Sequence, residues 1–112
     1  MHLILNIGLD PQATPELAAH VTREILVANG FLLGKSRVVQ SDTEPTLAIE
    51  VTGPEGWVTA RINRTAVDLN QECIAVWNPA RQAGVLLGPK PWGPFDPKLF
   101  FTVHNTRLSE HL

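Results

Sequence analysis

The sequence predicts an α+β fold in which one antiparallel sheet carries two helices on one face. Three observations support this prediction. Residues 2–9 alternate in the manner of a strand, and residues 15–29 and 57–70 carry apolar side chains at helical spacing. The other apolar runs are short and are separated by breaks that contain Gly or Pro, which is typical of further strands.

The first strand is predicted over residues 2–9. One face is entirely apolar and the other is mixed: Leu3, Leu5, Ile7 and Leu9 against His2, Ile4, Asn6 and Gly8. Side chains of a strand point alternately to its two faces, so this pattern indicates a strand with one face in the core. Asp10-Pro11 ends it.

The first helix is predicted over residues 15–29. Thr14 is a good N-cap and Pro15 suits the first helical position, while Asn29-Gly30 is a strong stop signal. We expect the buried stripe of this helix to consist of Leu17, Val21, Ile25 and Ala28.

A hairpin follows, with arms at residues 31–40 and 46–52 joined by a turn that ends at Pro45. The stretch after it fits two templates. Val58, Ala60 and Ile62 alternate like a strand, but Val58, Ile62, Ala66, Leu69 and Cys73 step by three or four residues like a helix. The helical template covers more residues, so we predict a helix at 57–70; a strand there would replace the predicted fold with a β-meander.

Three more strands are predicted at residues 73–77, 85–87 and 99–103. The element order through the fourth strand is then β-α-β-β-α-β. This is the split β-α-β, ferredoxin-like arrangement, in which both helices pack on one face of an antiparallel sheet. A β-rich extension that contains Pro and Trp follows it. We expect one domain over residues 1–112, with a core at 1–78 and the extension at 79–112.

The extension contains an unusual loop at residues 88–97. Four prolines exclude a helix or an inner strand, yet the segment is rich in aromatic rings: Pro89, Pro91, Pro94 and Pro97, with Trp92 and Phe95 inside it and Phe100 and Phe101 just beyond. We expect an ordered loop whose rings are buried, and Trp92→Ala to cost about 3–5 kcal/mol if Trp92 is a full core anchor.

This loop is the expected cover for the sheet face opposite the helices. That face would expose Ile4, Ala48, Ala75 and Trp77, a set too apolar to remain in water. A partner subunit in a homodimer is the alternative cover.

Composition limits the class of protein. The apolar fraction of 44% and the charged fraction of 18% fit a soluble globular protein. The net charge of −2 disfavours a nucleic-acid partner, although residues 56–112 alone carry +2. Cys73 is the only cysteine, which excludes an internal disulfide, and no apolar run approaches the ~20 residues that span a membrane. The expected compartment is the cytoplasm.

Few residues are candidates for metal binding or catalysis. None of the four histidines has zinc-site spacing, so we predict no metal and no cofactor. On the open face of the predicted sheet, His2, Asn6, Glu50 and Cys73 could approach one another. An imidazole or thiol beside a carboxylate can perform acid–base or nucleophilic chemistry. The competing interpretation is that Cys73 is a small buried apolar residue, and we favour it.

The function that these residues favour is that of a small non-enzymatic binding or accessory protein acting through protein–protein contacts, with a protein partner or a second copy of itself. Its interaction surface would include Trp77, Trp92, Phe95, Lys90 and Lys98. One alternative is a small enzyme built on His2, Glu50 and Cys73. A second is a nucleic-acid accessory protein that uses Arg61, Arg64, Lys90 and Lys98.

Overall fold

A computed structural model describes residues 1–40, 44–90 and 93–94 of the 112-residue chain. The element order is β1 His2–Gly8, α1 Pro15–Ala28, β2 Leu32–Gln40, β3 Pro45–Thr52, a short 3₁₀ turn at Glu55–Trp57, α2 Val58–Asp68, β4 Ile74–Asn78 and β5 Ala83–Leu87. Both predicted helices are confirmed, as are the five predicted strands that lie in the described residues. The segment 57–63, for which a strand was the alternative, is helical from Val58 onward.

The five strands form one sheet in the order β2-β3-β1-β4-β5, and every neighbouring pair is antiparallel. The α+β class is therefore confirmed. In each β-α-β unit another strand lies between the two strands that the helix joins, as the split arrangement requires. The fifth strand extends the sheet past β4, beyond the four strands of a simple ferredoxin-like order.

Both helices pack on the same face of the sheet. Leu5 and Ile7 of β1 lie in one apolar cluster with Leu26 of α1 and Ile62 of α2, and all four side chains are fully buried. This is the face that the alternation in β1 predicts for the core. The opposite face of the sheet carries the other set of β1 side chains and is called the open face below, although Ile4, Asn6, Ala48 and Ala75 at its centre are buried.

The ends of α1 follow the predicted signals. The Thr14 hydroxyl oxygen accepts a hydrogen bond from the Leu17 N–H at 3.3 Å, and Pro15 occupies the first turn. At the other end Gly30 has a φ of 89°, a left-handed conformation that glycine adopts without steric cost. The Arg61 guanidinium packs against Gly30, in the space that a Cβ would occupy, and ties α2 to the end of α1.

The predicted buried stripe of α1 is wrong. Leu17 is 57% exposed and Val21 42% exposed, Ala28 is exposed, and Ile25 is half-buried. The core positions are Ala19, Thr22 and Leu26 instead. Thr22 can be buried because its hydroxyl donates to the Ala18 carbonyl oxygen at 2.8 Å, which satisfies its polar group within the helix.

The stripe of α2 is as predicted at three positions, since Val58, Ile62 and Ala66 are buried. It does not continue to Cys73, because α2 ends at Asp68 and the chain turns through Asn70, which has a φ of 55°. Cys73 lies just before β4 and is half-buried.

The described part of the Pro-rich loop returns along the outer edge of β5. The Leu86 N–H donates to the Gly93 carbonyl oxygen at 2.9 Å, and Pro94 forms an isolated antiparallel bridge with Val85. An edge is where a sheet tolerates proline. The predicted strand at 99–103 lies outside the described residues, as do Trp92, Phe95, Phe100 and Phe101, so their expected burial stays a prediction.

Candidate functional site

The structure brings His2 and Glu50 together on the open face. In the β1–β3 register Glu50 lies opposite Ile4, one row from His2. The His2 Nε2 atom lies 3.3 Å from Glu50 Oε2, and the pair becomes an ion pair when the imidazole is protonated. A carboxylate that orients an imidazole in this way is one ingredient of acid–base chemistry.

The structure does not bring Cys73 to this pair. Trp77 of β4 lies opposite Ile4, on the side of β1 away from Glu50, and Cys73 precedes Trp77 by four residues. At the rise of an extended strand, Cys73 lies roughly 14 Å further along the sheet, at the end away from His2. The three residues of the predicted enzymatic group therefore do not form one site.

Burial raises the pKa of the Cys73 thiol above its ordinary value, and the nearby Glu72 carboxylate raises it further. Both effects disfavour the thiolate, which is the reactive form of cysteine. Neither suits a nucleophile at neutral pH.

We therefore expect iodoacetamide to alkylate native Cys73 several-fold more slowly than the urea-unfolded chain at pH 8. The midpoint of the rate against pH should be higher in the native protein than in the unfolded chain, because the native thiol loses its proton at higher pH. Since Cys73 is the only cysteine, the unfolded chain is its own control. Equal rates and equal midpoints would contradict this and reopen a chemical role for Cys73.

Two of the four cations of the nucleic-acid hypothesis are engaged within the protein. Arg61 Nη1 donates to the Asn29 carbonyl oxygen at 2.6 Å, and its guanidinium lies 5.0 Å from the centre of the Trp57 ring. Arg64 Nε lies 3.2 Å from Asp68 Oδ1. Lys90 is exposed, and Lys98 lies outside the described residues. These contacts leave Arg61 less suited to contact a phosphate backbone, whereas Arg64 is 70% exposed in its surface pair with Asp68 and stays accessible.

The predicted interaction surface is described only in part. Trp77 is half-buried on the open face, and Lys90 is exposed beside a cavity of about 290 Å³ that Asn63 and Leu86 also line. Trp92, Phe95 and Lys98 lie outside the described residues, so this surface as a whole stays a prediction.

An apolar groove that the sequence analysis missed runs along α1. It has a volume of about 280 Å³ and lies between α1, the end of β1 and the residues after α2. Its apolar lining includes Leu9, Leu17, Val21, Ile25 and Leu69, and Asp10 and Asp68 lie at its rim. We call it the α1 groove. The available signal was the number of apolar residues in α1, which is more than one core-facing stripe can accommodate.

The sequence analysis placed Asn6 on the open face but did not predict its burial. Asn6 lies between Ala48 and Ala75 on the neighbouring strands and is only 6% exposed. Neither its Oδ1 nor its Nδ2 atom has a hydrogen-bond partner. A buried polar group left unpaired costs about 1–3 kcal/mol, so this side chain does not contribute to stability through hydrogen bonding.

No family model matches the chain, and no curated protein matches it. Within residues 1–40, 44–90 and 93–94, no group of three or more His, Cys, Asp or Glu side chains is arranged to hold a metal ion. In the same residues, neither helix has the length and apolar character needed to cross a bilayer.

Proposed function

We propose that the protein acts by binding a protein partner, and that the α1 groove is the binding surface. The observation that supports this proposal is the exposure of Leu17 and Val21 at 57% and 42% along the groove, on the same helix whose opposite side is packed in the core. Large apolar side chains that line one exposed concavity mark interaction sites, whereas scattered ones do not. The groove has the size of a few side chains, as a partner helix would supply.

The charge around the groove specifies the partner further. Asp10 and Asp68 line it, and Glu24 is exposed on α1 three residues from Val21. Asp68 is paired with Arg64 and Glu24 with His20. The described residues that line the groove include no Lys or Arg. Complementary charge accelerates association and selects among partners, so the expected occupant is an amphipathic helix with leucine-like residues on one face and basic residues on its flanks.

The same acidic rim disfavours a homodimer formed by two α1 grooves face to face. Such a dimer would place Asp10 and Glu24 of each copy near the acidic rim of the other, and like charges across an interface are costly. We therefore propose a different protein as the partner. Among the alternatives, the enzymatic one lacks Cys73 beside His2 and Glu50, and the nucleic-acid one has Arg61 engaged with the Asn29 carbonyl oxygen.

The test uses a synthetic helical peptide of Leu and Lys with leucines at i, i+3, i+4 and i+7, and a Leu/Glu peptide of the same pattern. Isothermal titration should detect binding of the Lys peptide to the native protein, with the Glu peptide binding more weakly. Leu17→Lys and Val21→Lys should each raise the dissociation constant of the Lys peptide by at least about tenfold, since each removes an apolar contact and adds a like charge.

The matched control is Val27→Lys. Val27 is 57% exposed on the same helix but does not line the groove, so this substitution adds the same charge without touching the proposed surface. If Val27→Lys weakens binding of the Lys peptide as much as Leu17→Lys does, the attraction is a general effect of charge and the groove is not the site. Equal binding of both peptides to all variants would reject the proposal as well.

A further inference from the structure

β2 forms one edge of the sheet. Among residues 1–40, 44–90 and 93–94 it pairs only with β3, and no residue of β2 lines the α1 groove. We propose that residues 36–40 of β2 accept an extended, acidic segment of a partner protein as an added strand. In this kind of recognition, backbone hydrogen bonds provide affinity and the neighbouring side chains provide specificity.

The hydrogen bonds between β1 and β3 show how the backbone of β3 is oriented. The Leu9 N–H donates to the Pro45 carbonyl oxygen at 2.8 Å, at the start of β3. The Gly53 N–H donates to the Met1 carbonyl oxygen at 3.0 Å, just past its end. Successive residues of an antiparallel strand direct their backbone groups to alternate sides. The odd-numbered residues of β3 therefore face β1, and the even-numbered residues face β2.

This orientation identifies the outward-facing backbone groups of β2. Thr46 and Ala48 of β3 face β2, where the register places Val39 and Arg37 opposite them. Val39 and Arg37 therefore bond to β3, and the alternate residues do not. The N–H and C=O groups of residues 36, 38 and 40, with Val38 at the centre, point away from the sheet.

A β-bulge limits the surface to the second half of β2. The register shifts between Leu33 and Ser36, whereas residues 36–40 pair one to one with β3. Bulges and charged side chains protect edges from unwanted pairing, and this bulge, with the exposed Lys35, protects the first half of the strand. The second half is a regular segment that a short strand can extend.

The side chains around this segment are basic. Lys35 and Arg37 are exposed on β2. Arg23 of α1 reaches the same strand, where its Nε and Nη2 atoms donate to the Ser36 hydroxyl oxygen at 3.1 and 2.9 Å. Because complementary charge selects among partners, the added strand should carry acidic side chains beside Arg37.

The same charges disfavour a homodimer through two β2 edges. Such a pairing would bring Arg23, Lys35 and Arg37 of both copies together, and like charges across neighbouring strands are destabilising. Glu50 of β3 does not offset them, because its Oε2 atom lies 3.3 Å from His2 Nε2. The expected partner is therefore a different protein.

Hydrogen exchange of the free protein tests the premise. The Val38 N–H should exchange with solvent at least about tenfold faster than the N–H groups of Arg37 and Val39, because only the latter two bond to β3. The three residues are adjacent in one strand, so they control for one another. Protection of Val38 equal to that of Val39 would show that the edge is already paired, and the proposal would then be wrong.

The binding test uses two short peptides, one of alternating Val and Glu and one of alternating Val and Lys. With the full ¹⁵N-labelled chain, the Val/Glu peptide should shift the amide resonances of residues 36–40 and slow exchange of the Val38 N–H. The Val/Lys peptide should bind at least about tenfold more weakly. Shifts confined to residues outside β2 would overturn the proposal.

N-methylated versions of the Val/Glu peptide test for strand addition itself. In an antiparallel addition the peptide valines lie opposite Val38 and direct their N–H groups to β2, whereas the glutamates direct theirs to solvent. N-methylation of the valines should therefore abolish binding, and N-methylation of the glutamates should not. Equal effects of the two modifications would show that the peptide does not bind as a strand.

Arg37→Glu tests the charge. It should raise the dissociation constant of the Val/Glu peptide by at least about tenfold and lower that of the Val/Lys peptide. The matched control is Arg81→Glu, since Arg81 is exposed between β4 and β5, at the opposite edge of the sheet. Equal weakening by both variants would mean a general effect of charge and would reject the β2 edge as the site. None of these outcomes bears on the α1 groove, which the helical peptides test separately.

Discussion

Leu26→Ala should lower the free energy of unfolding by about 2–5 kcal/mol, whereas Leu17→Ala should change it by no more than about 0.5 kcal/mol. Leu26 is fully buried in the cluster between α1 and the sheet, and its truncation leaves a cavity. Leu17 is 57% exposed, and most of its side chain is in water before and after the change. Chemical denaturation followed by circular dichroism measures both differences.

The pair is well matched, since both residues are leucines in the same helix and the helix propensity of alanine and leucine is similar. Position in the helix is thus the main variable. The stripe predicted from the sequence would give the opposite ranking, because it places Leu17 in the core. A larger effect at Leu17 than at Leu26 would show that α1 is rotated relative to the structure, and the α1 groove would disappear with it.

Gly88→Ala should lower the free energy of unfolding by about 3 kcal/mol, near the upper end for overpacking. A Cβ at this position would overlap the Glu72 carbonyl oxygen and lie 3.0 Å from the Cys73 Cα. Both obstacles are backbone atoms at the entrance to β4, so no side-chain rotation can relieve the overlap. The β4–β5 pairing must shift instead, and β4 is an inner strand of the sheet.

Gly56→Ala is the control for this substitution. A Cβ at Gly56 meets no atom within 4 Å and its φ is not positive, so alanine should leave the stability unchanged or raise it by about 0.4–1 kcal/mol. In Gly88→Ala, the shift of the β4–β5 pairing should also speed alkylation of Cys73. The alkylation rate is thus a local readout besides the denaturation midpoint. Wild-type stability in Gly88→Ala would show that the contact between β5 and residues 72–73 is looser than described.

Signals that act over a few residues could be interpreted from the sequence. Thr14 and Pro15 mark the start of α1, and Asn29-Gly30 its end, because capping depends on hydrogen bonds and backbone conformations within one turn. The alternation of residues 2–9 identified the core face of β1 for a similar reason, since strand geometry alone sends side chains to opposite faces.

The position of α1 on the sheet could not be obtained in this way. Its sequence offers two adjacent stripes, one through Leu17 and Val21 and one through Thr22 and Leu26, and hydrophobicity favours the first. Packing selects the second, because small Ala19 and Thr22 let the helix approach the sheet and the Thr22 hydroxyl is satisfied by the Ala18 carbonyl. Close packing depends on shape as well as on apolar character.

The candidate sites, like the helices and strands, depend partly on local sequence signals and partly on tertiary contacts. The sequence alone determined the helices, the strands, the α+β class and the difference between the apolar and the mixed face of β1. Each of these follows from local periodicity and chain-breaking residues. Only the tertiary structure decided that His2 meets Glu50 while Cys73 lies far along the sheet, that Leu17 lines a groove, and that Asn6 is buried without a partner. These outcomes depend on strand register and on which surfaces meet, and interactions between residues distant in the chain determine both.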